Sequence, residues 1–111
     1  MQIKNNLLSD WSGNGISASL NIIPDTFILE SAYPNPFNPT TTLRFAIPVD
    51  SEVSISVYNL QGREVVSLVN GKMEAGYHTA IWNADVHGSG VYFVKMVAGE
   101  YVDTQKLMLV K

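Results

Sequence analysis

Few side chains in this 111-residue chain could carry chemistry. It contains no cysteine, so disulfides, thiolate metal sites and thiol nucleophiles are excluded. Its two histidines are His78 and His87. His78 alternates with Ala80 and Trp82, which predicts a half-buried histidine on the inner face of a strand. No base and nucleophile can be assembled around either histidine, and the sequence therefore predicts no catalytic residue and no enzyme.

Binding chemistry is equally sparse. Asp85 and His87 follow Trp82 in one predicted loop. A metal ion needs more oxygen or imidazole ligands than this stretch offers, so turn formation is favoured over a weak calcium site at Asp85. Trp11 and Tyr101, if exposed, would leave a sugar-binding module as a rival. Glycines at predicted turns lack the following helix start of a phosphate-binding loop, so no cofactor is expected. These glycines are Gly62, Gly76, Gly88 and Gly90.

Composition narrows the class of protein further. Hydrophobic residues make up 46% of the chain and charged residues 15%, which argues against disorder of the whole chain. The net charge is -3, from 7 Lys+Arg and 10 Asp+Glu, so a basic nucleic-acid surface is not expected. No apolar run approaches the ~18 residues of a membrane-spanning helix. The first eight residues lack the apolar core of a secretory signal, so we expect either a cytosolic chain or a piece of a longer precursor.

The elements that must position any site are strands. Val53, Ile55 and Val57 alternate with polar residues, and β-branched and aromatic residues dominate similar runs along the chain. Glycine-containing turns, among them Asn70-Gly71, separate these runs at short spacing. This pattern predicts an all-β protein, an antiparallel β-sandwich or small barrel of about seven strands. The expected strands cover residues 27–32, 38–48, 53–58, 63–70, 77–82, 91–98 and 101–110.

The N-terminal part differs from the rest. Residues 9–15 are polar and glycine-rich, which is typical of a loop or linker. Residues 16–23 then alternate apolar and polar positions as a strand does, before Pro24 ends the run. Residues 1–25 are therefore a linker or arm and residues 26–111 the domain. The strand could close a preceding domain, add to this domain, or serve as an arm that pairs with a neighbour and gives self-association.

The segment 33–39 is the most unusual in composition. Three prolines in six positions fix the backbone φ and remove three hydrogen-bond donors, so it should be a stiff, extended lead-in along a sheet edge. Tyr33 and Phe37 would pin it to the sandwich. Its role is either structural, in covering the edge, or direct contact with a receptor. The candidate residues are Pro34, Asn35, Pro36, Phe37, Asn38 and Pro39.

The order of several motifs resembles a known family. Tyr33-Pro34-Asn35-Pro36-Phe37-Asn38-Pro39 resembles the opening of the type A C-terminal sorting domain carried by cargo of the type IX secretion system. The resemblance extends in order from about Thr26 to Lys111. It continues through Val57-Tyr58-Asn59-Leu60-Gln61-Gly62-Arg63-Glu64-Val65, Ala75-Gly76-Tyr77-His78, Trp82-Asn83, Ser89-Gly90-Val91-Tyr92-Phe93 and Lys106-Leu107-Met108-Leu109-Val110-Lys111.

The resemblance implies an immunoglobulin-like sandwich without catalytic activity. Its function would be to direct export of a larger passenger across the outer membrane and to attach that passenger at the cell surface. The implied partners are the outer-membrane translocation and attachment machinery and a covalently linked N-terminal passenger, and the implied location is secreted or at the cell surface. More loosely, the chain resembles the immunoglobulin-like module of flagellar hook-capping proteins. The alternative function is therefore a structural interaction module, such as a subunit of an extracellular assembly.

The predicted last strand carries two lysines, Lys106 and Lys111. Either they are solvated charges, or a translocon recognises this basic strand through its shape and strand edge as much as through its side chains. Together with Gly62, Gly90 and residues 34–39, they complete the set of residues that we predict to take part in sorting.

Overall fold

The computed structural model describes residues 23–111. The predicted arm, residues 16–23, lies outside these residues except for Ile23, and Trp11 lies outside them entirely. The described part of the chain is all-β and contains no helix. Its seven strands are β1 (Ile28–Leu29), β2 (Thr40–Ile47), β3 (Ser51–Tyr58), β4 (Glu64–Met73), β5 (Gly76–Asn83), β6 (Gly90–Ala98) and β7 (Tyr101–Leu109).

Two antiparallel sheets form the sandwich. One has three strands in the order β1-β2-β5, and the other has four in the order β4-β3-β6-β7. The expected immunoglobulin-like sandwich of about seven strands is therefore confirmed. The alternation read from the sequence sets which residues face inwards, because a strand directs successive side chains to opposite faces. The fully buried side chains of the core include Leu43, Phe45, Ile55, Val94 and Leu107.

Two strand boundaries differ from the sequence-based expectation. Asn70-Gly71 was expected to form a turn but lies inside β4, where these residues pair with Ser54 and Val53. The chain turns instead at residues 74–75, where Asp50 accepts a hydrogen bond from the Ala75 amide at 2.9 Å. The turn preference of Asn70-Gly71 is thus outweighed by the hydrogen bonds of the longer β3–β4 pairing. The strand expected at 27–32 shrinks to the two residues of β1, since the following residues pair only intermittently with β2.

The two long sides of the sandwich are different. On one side, which we call the closed seam, residues 29–37 run between β2 of one sheet and β7 of the other. Their amides bond to Arg44 and Thr42 of β2 on one flank and to Met108 of β7 on the other. On the opposite side, which we call the open seam, the outer edges of β4 and β5 have no strand partner within residues 23–111.

Candidate recognition surface

The proline-rich segment follows the closed seam from one sheet to the other. Tyr33 forms an antiparallel bridge with Thr42, and Phe37 forms a parallel bridge with Leu109. The segment lies along sheet edges as expected, but it bends at residues 34–36 and 38–39 and so is not extended throughout. The reason is geometric: within five residues the chain must leave the edge of β2 and reach the edge of β7.

The two aromatic residues of this segment have different roles. Phe37 is 2% exposed and its ring lies 5.4 Å from that of Trp82 in the core. Tyr33, in contrast, is 78% exposed, and its backbone holds it to the sandwich through two hydrogen bonds with Thr42 of 3.0 and 2.9 Å. Phe37 therefore anchors the segment as expected, whereas the Tyr33 side chain does not.

Asn35 uses its side-chain amide as if it were one more peptide group of a strand. Its Nδ2 donates to the Lys106 carbonyl at 2.9 Å, and its Oδ1 accepts from the Met108 amide at 3.0 Å. Two residues later the Phe37 backbone continues the ladder, since its amide donates to the Met108 carbonyl and its carbonyl accepts from the Val110 amide. The outer edge of β7 is therefore covered by residues of the proline-rich segment.

Gln105 extends this cover along β7, and nothing in the sequence motifs singled it out. Its Oε1 accepts from the Ala32 amide at 3.1 Å, and its Nε2 donates to the carbonyls of Leu29 and Glu30 at 3.2 and 2.6 Å. A half-buried glutamine at an edge position of the last strand was the available signal. The role of Gln105 depends on residues more than seventy positions earlier in the chain. Sequence spacing alone does not show that these residues lie beside it.

Tyr101 closes the far end of the same seam. Its ring stacks on Phe27 at 5.5 Å, and its hydroxyl accepts from the Leu29 amide and donates to Asp103. Burial raises the pKa of the Tyr101 hydroxyl, against the lowering effect of the Leu29 amide. Tyr101 is half-buried, so it does not offer the free aromatic face that the sugar-binding alternative required.

The end of β7 is held by the loop that follows Trp82. The Lys111 ammonium donates to the carbonyls of Asp85 and His87, and the Lys111 amide donates to Ser89 Oγ at 3.0 Å. Beneath this contact, His87 lies 5.6 Å from the Trp82 ring, and the Tyr92 hydroxyl donates to the Gly88 carbonyl at 2.7 Å. Asp85 and His87 are thus engaged in fixing the loop and the last residue of the chain.

The structure brings most of the predicted sorting residues together around β7. Residues 34–37 lie along its edge, and Gly90 pairs with Leu109 on its other flank. Pro39 accepts a hydrogen bond from the Ala84 amide at the same end of the molecule. Gly62 lies apart, in the turn between β3 and β4, two strands away from β7; its φ of 80° and its bond to Asn59 mark it as a turn residue.

Only some of the predicted sorting residues along the edge of β7 have accessible side chains. Pro34, Pro36 and Asn38 are exposed, and so is Lys106, while Met108 is 41% exposed. We call Pro34, Pro36, Lys106 and Met108 the tail surface, because the Asn35 side chain ties the two prolines to these two positions of β7. The tail surface combines a stiff apolar strip with one positive charge.

The other titratable residues in the part of the chain that the structure describes give no further site. His78 is half-buried, stacks on Phe45 at 5.4 Å and bonds to the Glu74 carbonyl at 2.7 Å, as the expectation of a satisfied histidine required. Residues 23–111 hold no group of three or more His, Asp or Glu side chains placed to bind a metal ion. Nor does this part of the chain include a helix long and apolar enough to cross a membrane.

Comparison with known proteins defines the class. The family model described as the secretion system C-terminal sorting domain matches residues 31–111. The matched region begins just before the proline-rich segment and ends two residues after β7, so it includes the whole tail surface. The chain belongs to this family, and the resemblance to the type IX sorting domain is confirmed.

A solved structure adds a relative with the same fold. The crystal structure of dimeric latent PorU from Porphyromonas gingivalis matches with a TM-score of 0.60 and 20% sequence identity. The match covers 86% of this chain and 10% of that chain, so this chain spans a small part of that protein's length. At this identity the similarity concerns the fold alone. No curated protein matches the sequence.

Proposed function

We propose that this chain directs a covalently linked N-terminal passenger across the outer membrane by the type IX secretion system and to attachment at the cell surface. The domain acts as a folded address without catalytic activity. The observation that supports this is the joining of the proline-rich segment and the last strand into one unit by Asn35 and Phe37. Two motifs at opposite ends of the domain sequence thereby form a single surface.

The mode of recognition follows from the covered edge. A partner that added a strand to β7 would first have to displace Asn35 and Phe37 from its backbone. Recognition of side chains on the folded domain has no such cost. We therefore assign recognition to the tail surface, with Lys106 supplying its charge and Pro34 and Pro36 a rigid strip that loses little entropy on binding.

The buried and turn residues of the predicted set serve this function indirectly. Phe37, Gly62 and Gly90 shape the domain, and Lys111 holds the end of β7 against the loop at 85–89. Their replacement should impair sorting through the fold. Replacement of an accessible residue of the tail surface should impair sorting in a domain that remains folded.

The experiment fuses residues 1–111 behind a reporter that carries a general export signal, in a host with the type IX machinery. Protease accessibility on intact cells then measures surface display. We expect the wild-type fusion to reach the surface and Lys106→Gln to reduce display. Lys95→Gln is the matched control, since Lys95 is also exposed on the outer face of the four-stranded sheet.

Two outcomes contradict the proposal at different levels. A wild-type reporter retained in the periplasm, with the domain folded, rejects the sorting function in that host. Normal display of Lys106→Gln, or equal losses in Lys106→Gln and Lys95→Gln, rejects the assignment of recognition to the tail surface. Thermal unfolding of both purified variants separates either result from loss of the fold.

A further inference from the structure

Within residues 23–111, the outer edge of β5 is unprotected in a way that the other sheet edges are not. β1 is two residues long, and β7 is covered by residues 29–37. β4 carries Glu64 and Lys72, and two irregularities in its pairing with β3 leave Val65 and Leu68 without opposite residues. Short strands, charges, bulges and covering segments are the usual means by which proteins prevent pairing between sheet edges.

β5 has none of these features. It pairs with β2 over eight consecutive positions without a shift in register. Its sequence, GYHTAIWN, contains no proline and no aspartate, glutamate, lysine or arginine. On its outward face Tyr77 and Ile81 are each 61% exposed. A long, regular, uncharged edge with exposed apolar side chains is suited to pairing with another strand.

The register identifies which backbone groups this edge offers. The Thr42 backbone exchanges hydrogen bonds with Tyr33, so its amide and carbonyl face away from β5. Because bonding directions alternate along an antiparallel strand, the neighbours of Thr42 bond to β5 through its even-numbered residues. The amide and carbonyl groups of Tyr77, Thr79 and Ile81 therefore point out from the free edge.

We propose that β5 pairs with β5 of a second copy of this chain, antiparallel and centred on Thr79. This register places Thr79 opposite Thr79 of the second copy and Tyr77 opposite Ile81 of the second copy. All three residues then meet through their outward backbone groups. Thr–Thr and aromatic–β-branched pairs are favourable across antiparallel strands, and the uncharged edge brings no like charges together. The two three-stranded sheets join into one sheet of six about a two-fold axis.

This interaction is independent of the tail surface, which lies on the closed seam. Two passengers could therefore be held together while both tail surfaces stay accessible. Because the contact involves one edge of each copy, the association should be weak and dependent on concentration. Sorting without dimerisation would leave the proposed function intact and reject only this pairing.

The test measures the mass of the full chain by sedimentation and light scattering up to about 1 mM, the weak end of specific affinities. We expect the average mass to rise towards that of a dimer. Thr79→Lys, which opposes two charges across the axis, should lower the association constant on the order of tenfold or more. Thr104→Lys changes another exposed strand threonine and should associate like wild type.

Two further measurements address the geometry. Paired residues that exchange hydrogen bonds have Cα atoms about 5.5 Å apart, within the range of a disulfide. In this cysteine-free chain, Thr79→Cys should form a covalent dimer on mild oxidation and Thr104→Cys should not. Amide exchange at Tyr77, Thr79 and Ile81 should slow as the chain concentration rises, whereas His78 and Ala80, which bond to β2, should change less.

The opposite results overturn the pairing. A single-chain mass throughout the concentration range rejects it, as does association that Thr79→Lys leaves unchanged. Association that survives Thr79→Lys and disappears on deletion of residues 1–22 assigns the contact to the N-terminal segment instead. Protection of the Tyr77, Thr79 and Ile81 amides in the dilute single chain would show that its own chain already covers the edge.

Discussion

The sheet edges along the two seams of the sandwich are protected in different ways. At the closed seam, residues 29–37 bridge the sheets, and side chains of Asn35 and Gln105 supply hydrogen bonds where no backbone group is in register. At the open seam, β4 has charges and irregular pairing, while β5 has a bare, regular edge. One side of the domain is therefore completed by its own chain, and the other keeps strand edges exposed within the described residues.

This difference predicts that the closed seam contributes mainly to the stability of the domain and the open seam mainly to association with other chains. The closed seam ties together residues near both ends of the domain sequence and joins the edges of both sheets. A change there should reach the whole fold. A change at an exposed position of the open seam removes little buried surface and should affect association more than unfolding. The following predictions test this contrast, beginning with the largest expected effect.

Deletion of residues 106–111 should prevent stable folding. It removes Leu107 and Leu109, which are 0% and 1% exposed, and the partners of Phe37 on β7. Burial of one such side chain contributes roughly 1.5–3 kcal/mol. The two together approach the ~5–15 kcal/mol by which domains are stable. Circular dichroism should show loss of the cooperative thermal transition. A truncated chain with the wild-type midpoint would mean that the last strand is a free tail.

The strand pattern, and with it this prediction, was accessible from the sequence. The strand expected at residues 101–110 contains Leu107 and Leu109, and the ordered motifs indicated the family and its sandwich. The bonds that close the seam were not accessible. Gln105 and Asn35 act on atoms about seventy residues away, and their side-chain hydrogen bonds leave no periodic trace in the sequence. The turn predicted at Asn70-Gly71 was wrong for the opposite reason. Its local turn signal is strong, but these residues pair with β3 instead.

Phe37→Ala should be the most damaging single substitution in the proline-rich segment. The ring is buried against Trp82, and removing a buried phenylalanine typically costs about 3–5 kcal/mol. Tyr33→Ala is the matched control, since the Tyr33 side chain is 78% exposed and should cost little. Urea unfolding of both variants measures the difference. Equal losses would indicate that the segment acts through its backbone alone and that Phe37 does not anchor the closed seam.

Asn35→Ala should have an intermediate effect. It removes the amide that bonds to Lys106 and Met108, and each lost hydrogen bond is worth roughly 0.5–1.5 kcal/mol. Asn38→Ala provides the control, because Asn38 is exposed in the same segment and its side chain has no hydrogen-bond partner among residues 23–111. Urea unfolding should show a loss of about 1–3 kcal/mol for the first variant only. Faster amide exchange at Met108 should accompany it, and unchanged exchange there would contradict the side-chain bridge.

Tyr101 gives the smallest expected effect, and its sign is fixed by burial. The pKa of its hydroxyl is raised in the folded state, so below the unfolded value of about 10 both states are protonated and the stabilisation is complete. As pH rises above that value, the unfolded state loses the proton first and stability falls. Tyr101→Phe lacks this titration but also the bonds to Leu29 and Asp103. The variant should therefore be less stable than wild type near pH 7, and thermal midpoints should show the gap narrowing as pH rises above about 10. A gap that stays constant through this range would mean that the Tyr101 hydroxyl is as well solvated in the folded domain as in the unfolded chain, and that the closed seam ends before it.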